Sequence, residues 1–158
     1  MFTSKNTVIK HKTLPRIAKY IERAPNKGDF LLDFGAGLQD TQLKMKAHVA
    51  EKGWQYVGYD PGHGPRFIPG VDFRLIVCSN VLCVLRDEEL DNTLNFIMSF
   101  DCDVMFTVYE GDKSGILKMT KPDCWQRNQP TKWYAKYLTK FKDYSISMKD
   151  KVIWATLH

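Results

Sequence analysis

The chain has 158 residues, of which 44% are hydrophobic, and a formal net charge of +5. This length fits one domain with a buried core, spanning residues 1–158, and the hydrophobic share excludes an intrinsically disordered chain. No apolar run reaches the roughly 20 residues of a membrane-spanning helix, and no apolar signal core follows Met1, which together predict a cytoplasmic protein without membrane contact.

Charge is segregated along the chain. Residues 1–28 carry seven lysines and arginines against one acid, residues 29–112 carry six against fourteen, and residues 113–151 carry ten against three. Solvated faces are the usual origin of such blocks. The alternative is that both basic ends meet over an acceptor site and attract a polyanion such as a nucleic acid. The four cysteines form no Cys-x-x-Cys pair, which argues against a structural zinc site and predicts no metal.

The first elements follow from apolar spacing and turn residues. Residues 1–12 are a basic lead-in, either a lid over a ligand or a solvated tail. Thr13–Ile21 is predicted to be a helix, capped by Thr13 with Pro15 in its first turn. After a turn at residues 24–28, the apolar run Phe30–Phe34 predicts a buried strand.

The second helix and strand complete a strand–helix–strand unit. Asp40 is the expected helix cap, Gly53 the expected stop, and three residues are predicted to face inward: Leu43, Ala47 and Ala50. Gln55–Tyr59 is predicted to be the second strand. A Gly- and Pro-rich loop, residues 61–65, follows, and residues 67–72 are expected to hold at most a vestigial strand or helix.

A second half of the sheet is predicted from Phe73 onward. Phe73–Cys78 and Asp103–Tyr109 read as strands, and the acids at 87–89 favour the start of a helix between them. The buried stripe predicted for that helix consists of Leu90, Leu94, Ile97 and Met98.

The C-terminal part is predicted to cover and close the sheet. Residues 113–130 show no periodicity and predict a long loop over the site. Thr131–Phe141 is helical in pattern, and residues 144–148 and 152–155 predict an antiparallel hairpin turning at Asp150 and Lys151. The order predicts an α/β fold: a three-layer, Rossmann-like sandwich whose mainly parallel sheet ends in an antiparallel hairpin.

Two strand ends carry ligand-type residues. Asp33-Phe34-Gly35-Ala36-Gly37 closes the first strand, and Asp60 closes the second, 23 positions beyond Gly37. Glycines let a backbone turn sharply and approach a ligand, and an acid ending the next strand can hold ribose hydroxyls. As alternatives, Asp33 caps a turn and Asp60 holds the turn at Pro61 and Gly62.

From about Thr13 to Leu157 the layout and these motifs resemble the class I methyltransferases that use S-adenosylmethionine. That family pattern is an acid, a glycine-rich turn and an acid ending the second strand. The stretches at residues 78–85, 108–112 and 125–128 further resemble small methyltransferase-like proteins of phage and bacterial genomes. In one departure, Gln39 replaces the family's third glycine and makes the helix entrance bulkier.

The resemblance implies S-adenosylmethionine as cofactor and assigns roles to matching residues. The glycine turn would pass under the methionine and ribose, Asp33 would receive the cofactor's ammonium, and Asp60 would accept both ribose hydroxyls. The residues expected to bind the cofactor are Asp33, Gly35, Ala36, Gly37, Asp60, Pro61, Ser79 and Asn80.

The methyl acceptor is left open between a nucleic acid and a small molecule. Candidate catalytic residues follow the strand that ends near Tyr109: Tyr109 itself, Glu110 and Asp112. His63 is a further candidate base or a solvated loop histidine. Trp125, Trp133 and Tyr134 could stack on bases, or the last two could pack in the core. Two other functions remain: a non-catalytic module that binds S-adenosylmethionine or another protein, and an enzyme that degrades S-adenosylmethionine.

Overall fold

The computed structural model describes residues 14–158, so the basic lead-in and the predicted Thr13 cap lie outside the described residues. A short 3-10 helix, Arg16–Tyr20, precedes three α-helices and eight strands. The helices are α1 Gln39–Ala50, α2 Asp87–Met98 and α3 Thr131–Leu138. The strands are β1 Phe30–Phe34, β2 Gln55–Tyr59, β3 Phe73–Ser79, β4 Asp103–Thr107, β5 Lys118–Lys121, β6 Cys124–Gln126, β7 Tyr144–Lys149 and β8 Val152–Leu157.

Six strands form the main sheet in the order β2-β1-β3-β4-β8-β7. The first four are parallel, while β8 runs antiparallel to β4 and β7 antiparallel to β8. The α/β fold with a closing antiparallel hairpin is therefore confirmed. Because β2 and β3 lie on opposite sides of β1, the order in which the chain adds strands to the sheet reverses at β1. Ligands of open α/β sheets bind in the crevice outside such a switch point.

Helices cover both faces of the sheet, which gives three layers. Leu31 packs in one apolar cluster with Met45 and Val49 of α1, while the next residue, Leu32, packs in the other cluster with Leu94 of α2. This alternation is expected for a strand buried on both sides. The predicted stripe of α2 is confirmed, since all four of its residues are buried. Within residues 14–158, no helix has both the length and the apolar composition needed to cross a bilayer.

Two helix predictions were wrong in detail. In place of the predicted first helix there is only a short 3-10 helix. The residues on either side of it, Pro15 and Ile21, both have extended backbone conformations and end it. The inward face predicted for α1 is exposed at Leu43, Ala47 and Ala50. Its buried face consists instead of Thr41, Gln42, Met45 and Val49. The helix begins at Gln39 after Leu38 rather than after an Asp40 cap.

The remaining boundaries differ by a few residues. Residues 113–130 are not structureless, because β5 and β6 pair as an antiparallel hairpin. β4 ends at Thr107 rather than Tyr109, and α3 ends at Leu138 rather than Phe141. Residues 67–72 form no regular strand or helix. The chain thus crosses from β2 to β3 without the helix that usually covers such a connection.

Candidate functional site

The glycine turn is fastened to the end of β2. The amides of Gly35 and Ala36 both donate to the Tyr59 carbonyl, at 2.7 and 3.1 Å. Gly35 and Gly37 have φ values of +78° and +77°, a left-handed conformation that glycine adopts without strain. These bonds bring the turn beside the loop that begins at Asp60, as the sequence pattern predicts.

Gly35 also contacts the loop after β3. A Cβ atom at Gly35 would overlap Cγ2 of Val81, so the missing side chain makes room for this valine. Val81 is itself buried, as is Ala36. The contact therefore belongs to the core beneath the turn. It brings the ends of β1 and β3 together at the switch point of the sheet.

Asp60 joins the two loops through its carboxylate. Oδ2 accepts from the Gly37 amide at 2.8 Å, and Oδ1 accepts from the amides of Gly62 and His63 at 2.9 and 3.1 Å. Asp60 thus stabilises the turn at Pro61 and Gly62, which was the alternative considered for it, and also binds the glycine turn. Pro61, which is partly exposed, lies in the turn that these bonds stabilise.

The carboxyl group of Asp33 has a different surrounding. It is 5% exposed and accepts a hydrogen bond from the Tyr56 hydroxyl at 2.7 Å. Asp33 comes two residues after Leu31 in β1, so both side chains lie on the sheet face that α1 covers. Burial, opposed by the Tyr56 bond and reinforced by the charge of Asp60, raises the pKa of Asp33 to about 7. This partner in β2 was not foreseen from the sequence.

Ser79 and Asn80 connect β3 to β4. The Ser79 and Thr107 hydroxyls are 3.0 Å apart, and the Asn80 amide donates to the Thr107 carbonyl at 2.8 Å. Asn80 has a φ of +57° and is exposed at the carboxyl edge of the sheet. Both residues therefore lie at the predicted third wall, and their contact with a cofactor stays a prediction.

The three catalytic candidates follow β4 at the same edge. Tyr109 is 63% exposed. Glu110 accepts hydrogen bonds from the amide and hydroxyl of Thr131, at the start of α3, and pairs with the ammonium groups of Lys113 and Lys151. Burial alone would raise the pKa of Glu110, but the Thr131 bonds and Lys113 lower it to about 2.

Asp112 is similarly engaged. It pairs with Lys118 at 2.8 Å and accepts from the Ser114 amide at 2.9 Å. The Lys118 and Ser114 bonds lower its pKa. Both carboxylates therefore stay ionised at neutral pH and are weak proton acceptors. The segment that they hold begins directly after the exposed Tyr109.

Arg16, within the N-terminal basic segment, reaches the C-terminal part of the chain beside this region. The Arg16 guanidinium donates to the carbonyls of Asp150 and Lys151, at 2.7 and 2.9 Å, in the turn between β7 and β8. Lys151 in turn pairs with Glu110 at 3.4 Å. Arg16 of the N-terminal basic segment thus contacts the C-terminal one, while the meeting of both segments over an acceptor site stays a prediction. No pattern in the sequence indicated which residues would make this contact.

A buried arginine anchors the segment after β6. The Arg127 guanidinium donates to the Leu85 carbonyl at 2.6 Å and to Asp87 at 2.7 Å. The Asn128 side chain donates to the Ile116 carbonyl at 2.9 Å. Trp125-Gln126-Arg127-Asn128, a distinctive stretch in the sequence, therefore includes the attachment of the β5–β6 hairpin to the core.

The sequence matches no model of a protein family and no curated protein. A solved structure described as "DhpI-SAM-HEP complex" is similar over 86% of this chain and 81% of that chain, with 12% identity and a TM-score of 0.45.

Proposed function

We propose that the chain is an S-adenosylmethionine-dependent methyltransferase whose acceptor is a nucleic acid or a small molecule. One observation carries the proposal: the Asp60 carboxylate binds Gly37 and Gly62 at once, so the acid and the glycine turn form a single cradle. This cradle lies at the switch point of a mainly parallel sheet, where nucleoside ligands bind in such folds.

The residues of the cradle fit a ribose in part. A carboxylate has about four lone-pair directions. At Asp60, the amides of Gly62 and His63 occupy both lone-pair directions of Oδ1. The Gly37 amide occupies one of the two directions of Oδ2. One direction on Oδ2 is left for a ribose hydroxyl, rather than the two acceptor positions expected from the resemblance.

The chemistry that S-adenosylmethionine supplies is a methyl group activated on a sulfonium. The protein's task is then to orient an acceptor and exclude water, and orientation alone can lower a barrier by several kcal/mol. We assign Tyr109 to contact with the acceptor because it is exposed at the end of β4. We assign Glu110 and Asp112 to positioning, because both are ionised and held by lysines.

A second function is favoured by the same carboxylates. Because Glu110 and Asp112 have lowered pKa values, neither offers an efficient base at neutral pH. A methyltransferase-like module that binds S-adenosylmethionine or another protein without turnover needs no base. Transfer of radiolabelled methyl groups to RNA, DNA or cell-extract fractions distinguishes this module from the enzyme.

Replacing Asp60 with alanine is expected to weaken S-adenosylmethionine binding by ~1–3 kcal/mol, through the lost charge-assisted hydrogen bond and the released glycine turn. Isothermal titration with S-adenosylmethionine and S-adenosylhomocysteine measures the effect. Asp40→Ala is the matched control, since it removes one acid from the first turn of α1. Both variants are titrated below their melting temperatures.

Two results would count against the proposal. Unchanged affinity in Asp60→Ala would place the cofactor elsewhere. Absence of heat with both compounds, for the unmodified protein at high micromolar concentration, would remove the methyltransferase proposal altogether.

A further inference from the structure

The β5–β6 hairpin and the segment before it present an unusual outer surface. Large apolar side chains are exposed at Tyr109, Ile116 and Met119, by 63%, 56% and 58%. Three exposed lysines lie in the same segment, and two more line a cavity with one of them. We define the hairpin surface as Tyr109, Lys113, Ile116, Lys118, Met119, Lys121, Trp125, Lys132 and Lys151.

This surface is firmly attached on its inner side. The Gln126 side chain donates to the Tyr109 carbonyl at 3.1 Å, and the Arg127 amide donates to the Cys83 carbonyl at 2.8 Å. Arg127 and Asn128 add the side-chain bonds described above. The exposed residues are therefore displayed by an anchored hairpin, and apolar exposure on such a support marks an interaction site.

Positive charge dominates the surface. Lys113, Lys132 and Lys151 line an open cavity of about 480 Å³ together with Glu110. Glu110 pairs with Lys113 and Lys151, and Asp112 pairs with Lys118. Even with these two acids and Asp123 of the hairpin turn counted, the five lysines of the surface leave an excess of positive charge. Its electrostatic complement is a polyanion.

Of the three aromatic residues that the sequence suggests for stacking on bases, only Trp125 is suitably placed. Tyr134 is 1% exposed, and Trp133 stacks on Tyr137 with ring centroids 5.1 Å apart, so the core-packing alternative holds for both. Trp125 is partly exposed and pairs with Met119 across the hairpin, whereas its neighbour Cys124 is buried. Because strand neighbours alternate between faces, Met119 and Trp125 lie on the outer face. Lys118 and Lys121 pair with Gln126 and Cys124 and so start from the other face, but both are exposed.

We propose that the hairpin surface binds single-stranded nucleic acid, with phosphates at its lysines and unpaired bases on Tyr109 and Trp125. Lysines with interleaved exposed aromatic rings are the combination that binds single strands without sequence preference. Paired bases cannot offer their faces to a side chain, so a duplex fits less well. This inference rests on the proposed function insofar as it names the acceptor class, since the surface adjoins the carboxyl edge where β4 ends.

Fluorescence anisotropy tests the proposal with the full chain and no cofactor. The probes are a labelled 12-nucleotide RNA of mixed sequence, the DNA strand of the same sequence, and the corresponding duplex. We expect at least one single strand to bind more tightly than the duplex. With three of the five lysines on phosphates, the logarithm of the binding constant falls with the logarithm of the salt concentration at a slope of about −2 between 50 and 200 mM.

Variants locate the site. Lys121→Ala with Lys132→Ala is expected to weaken binding about tenfold and to make the slope shallower by about 1.4, for two lost phosphate contacts. Tyr109→Ala is expected to weaken binding about tenfold at unchanged slope, and Tyr109→Phe to restore it, because the ring and not the hydroxyl stacks. The matched control is Lys27→Ala with Lys46→Ala, which removes equal charge from exposed positions outside the hairpin surface.

Several results would overturn the inference: no binding of either strand, equal binding of the duplex, equal loss in the control variant, or equal affinity for an acidic peptide of the same charge. Because no cofactor is present, these results are independent of the proposed methyl transfer. If the protein binds single-stranded nucleic acid but not S-adenosylmethionine, the inference about the hairpin surface stands and the proposed enzyme activity is rejected.

Discussion

Asp33→Asn is expected to stabilise the fold by about 2 kcal/mol at pH 8 and to have little effect near pH 4. The carboxyl group is 5% exposed, and its pKa in the folded chain is raised from 3.8 to about 7. A shift of this size corresponds to about 4 kcal/mol, from which the cost of burying an amide in place of a carboxyl must be subtracted.

The direction of the effect follows from proton linkage. Between about pH 4 and 7 the folded chain keeps the Asp33 proton while the unfolded chain releases it. Stability from this group is therefore complete below pH 4, decreases as the pH rises towards 7, and stays reduced above 7. Asparagine cannot ionise, so this part of the pH dependence should be absent from the variant. Urea unfolding at pH 4.5, 6 and 8 measures it.

Tyr56→Phe is the control for this assignment. The Tyr56 hydroxyl donates to Asp33 at 2.7 Å and favours the ionised carboxylate. Its removal should therefore destabilise the protein more at pH 8 than at pH 4.5, and this difference should disappear in the Asp33→Asn background. A variant Asp33→Asn with the same pH dependence as the unmodified protein would contradict the raised pKa.

Asp33→Asn also distinguishes a structural role of Asp33 from a role in cofactor binding. The resemblance to methyltransferases assigns this carboxyl to the cofactor's ammonium, whereas its side chain lies against Tyr56 on the α1 face. If Asp33 acts only through the fold, Asp33→Asn should bind S-adenosylmethionine as the unmodified protein does. A loss of affinity would show that the ammonium role applies.

The strands of the main sheet and α2 could be predicted because they bury mostly apolar residues, in continuous runs in the central strands and at helical spacing in α2. Phe73–Ser79 is buried at five of seven positions, and the α2 stripe repeats at helical spacing. The face of α1 could not be predicted this way, because it buries Gln42. That side chain is satisfied by donating to the carbonyls of Gly37 and Gly64. Apolar spacing cannot reveal a buried polar group whose partners lie in other loops.

The β5–β6 hairpin and the hydrogen-bond partners of Glu110 and Asp33 could not be predicted from the sequence, for related reasons. All four residues of β5 are exposed, so no alternation marks the strand. Glu110 and Asp33 were found as candidate acids, but Thr131, Lys151 and Tyr56, which set their chemistry, lie far from them in sequence. Positions of functional groups at strand ends are therefore predictable, while their protonation depends on tertiary contacts.

Gly35→Ala is expected to be the most destabilising single change in the turn, by about 3 kcal/mol or more. Two costs combine. A Cβ atom would overlap Cγ2 of the buried Val81, and alanine would have to adopt a φ of +78°. A left-handed residue costs about 1–2 kcal/mol, and overpacking of a core typically adds 1–3 kcal/mol. The midpoint of urea unfolding, compared with the unmodified protein, measures the total.

Gly53→Ala and Val81→Ala separate these costs. Gly53 has a φ of +88°, but an added Cβ would meet nothing closer than 3.7 Å, so its substitution should show the conformational cost alone. In the double variant Gly35→Ala with Val81→Ala, the overlap is relieved, and the two changes should be less destabilising together than their sum. Strict additivity would mean that Val81 does not restrict position 35. The glycine would then serve the backbone turn alone.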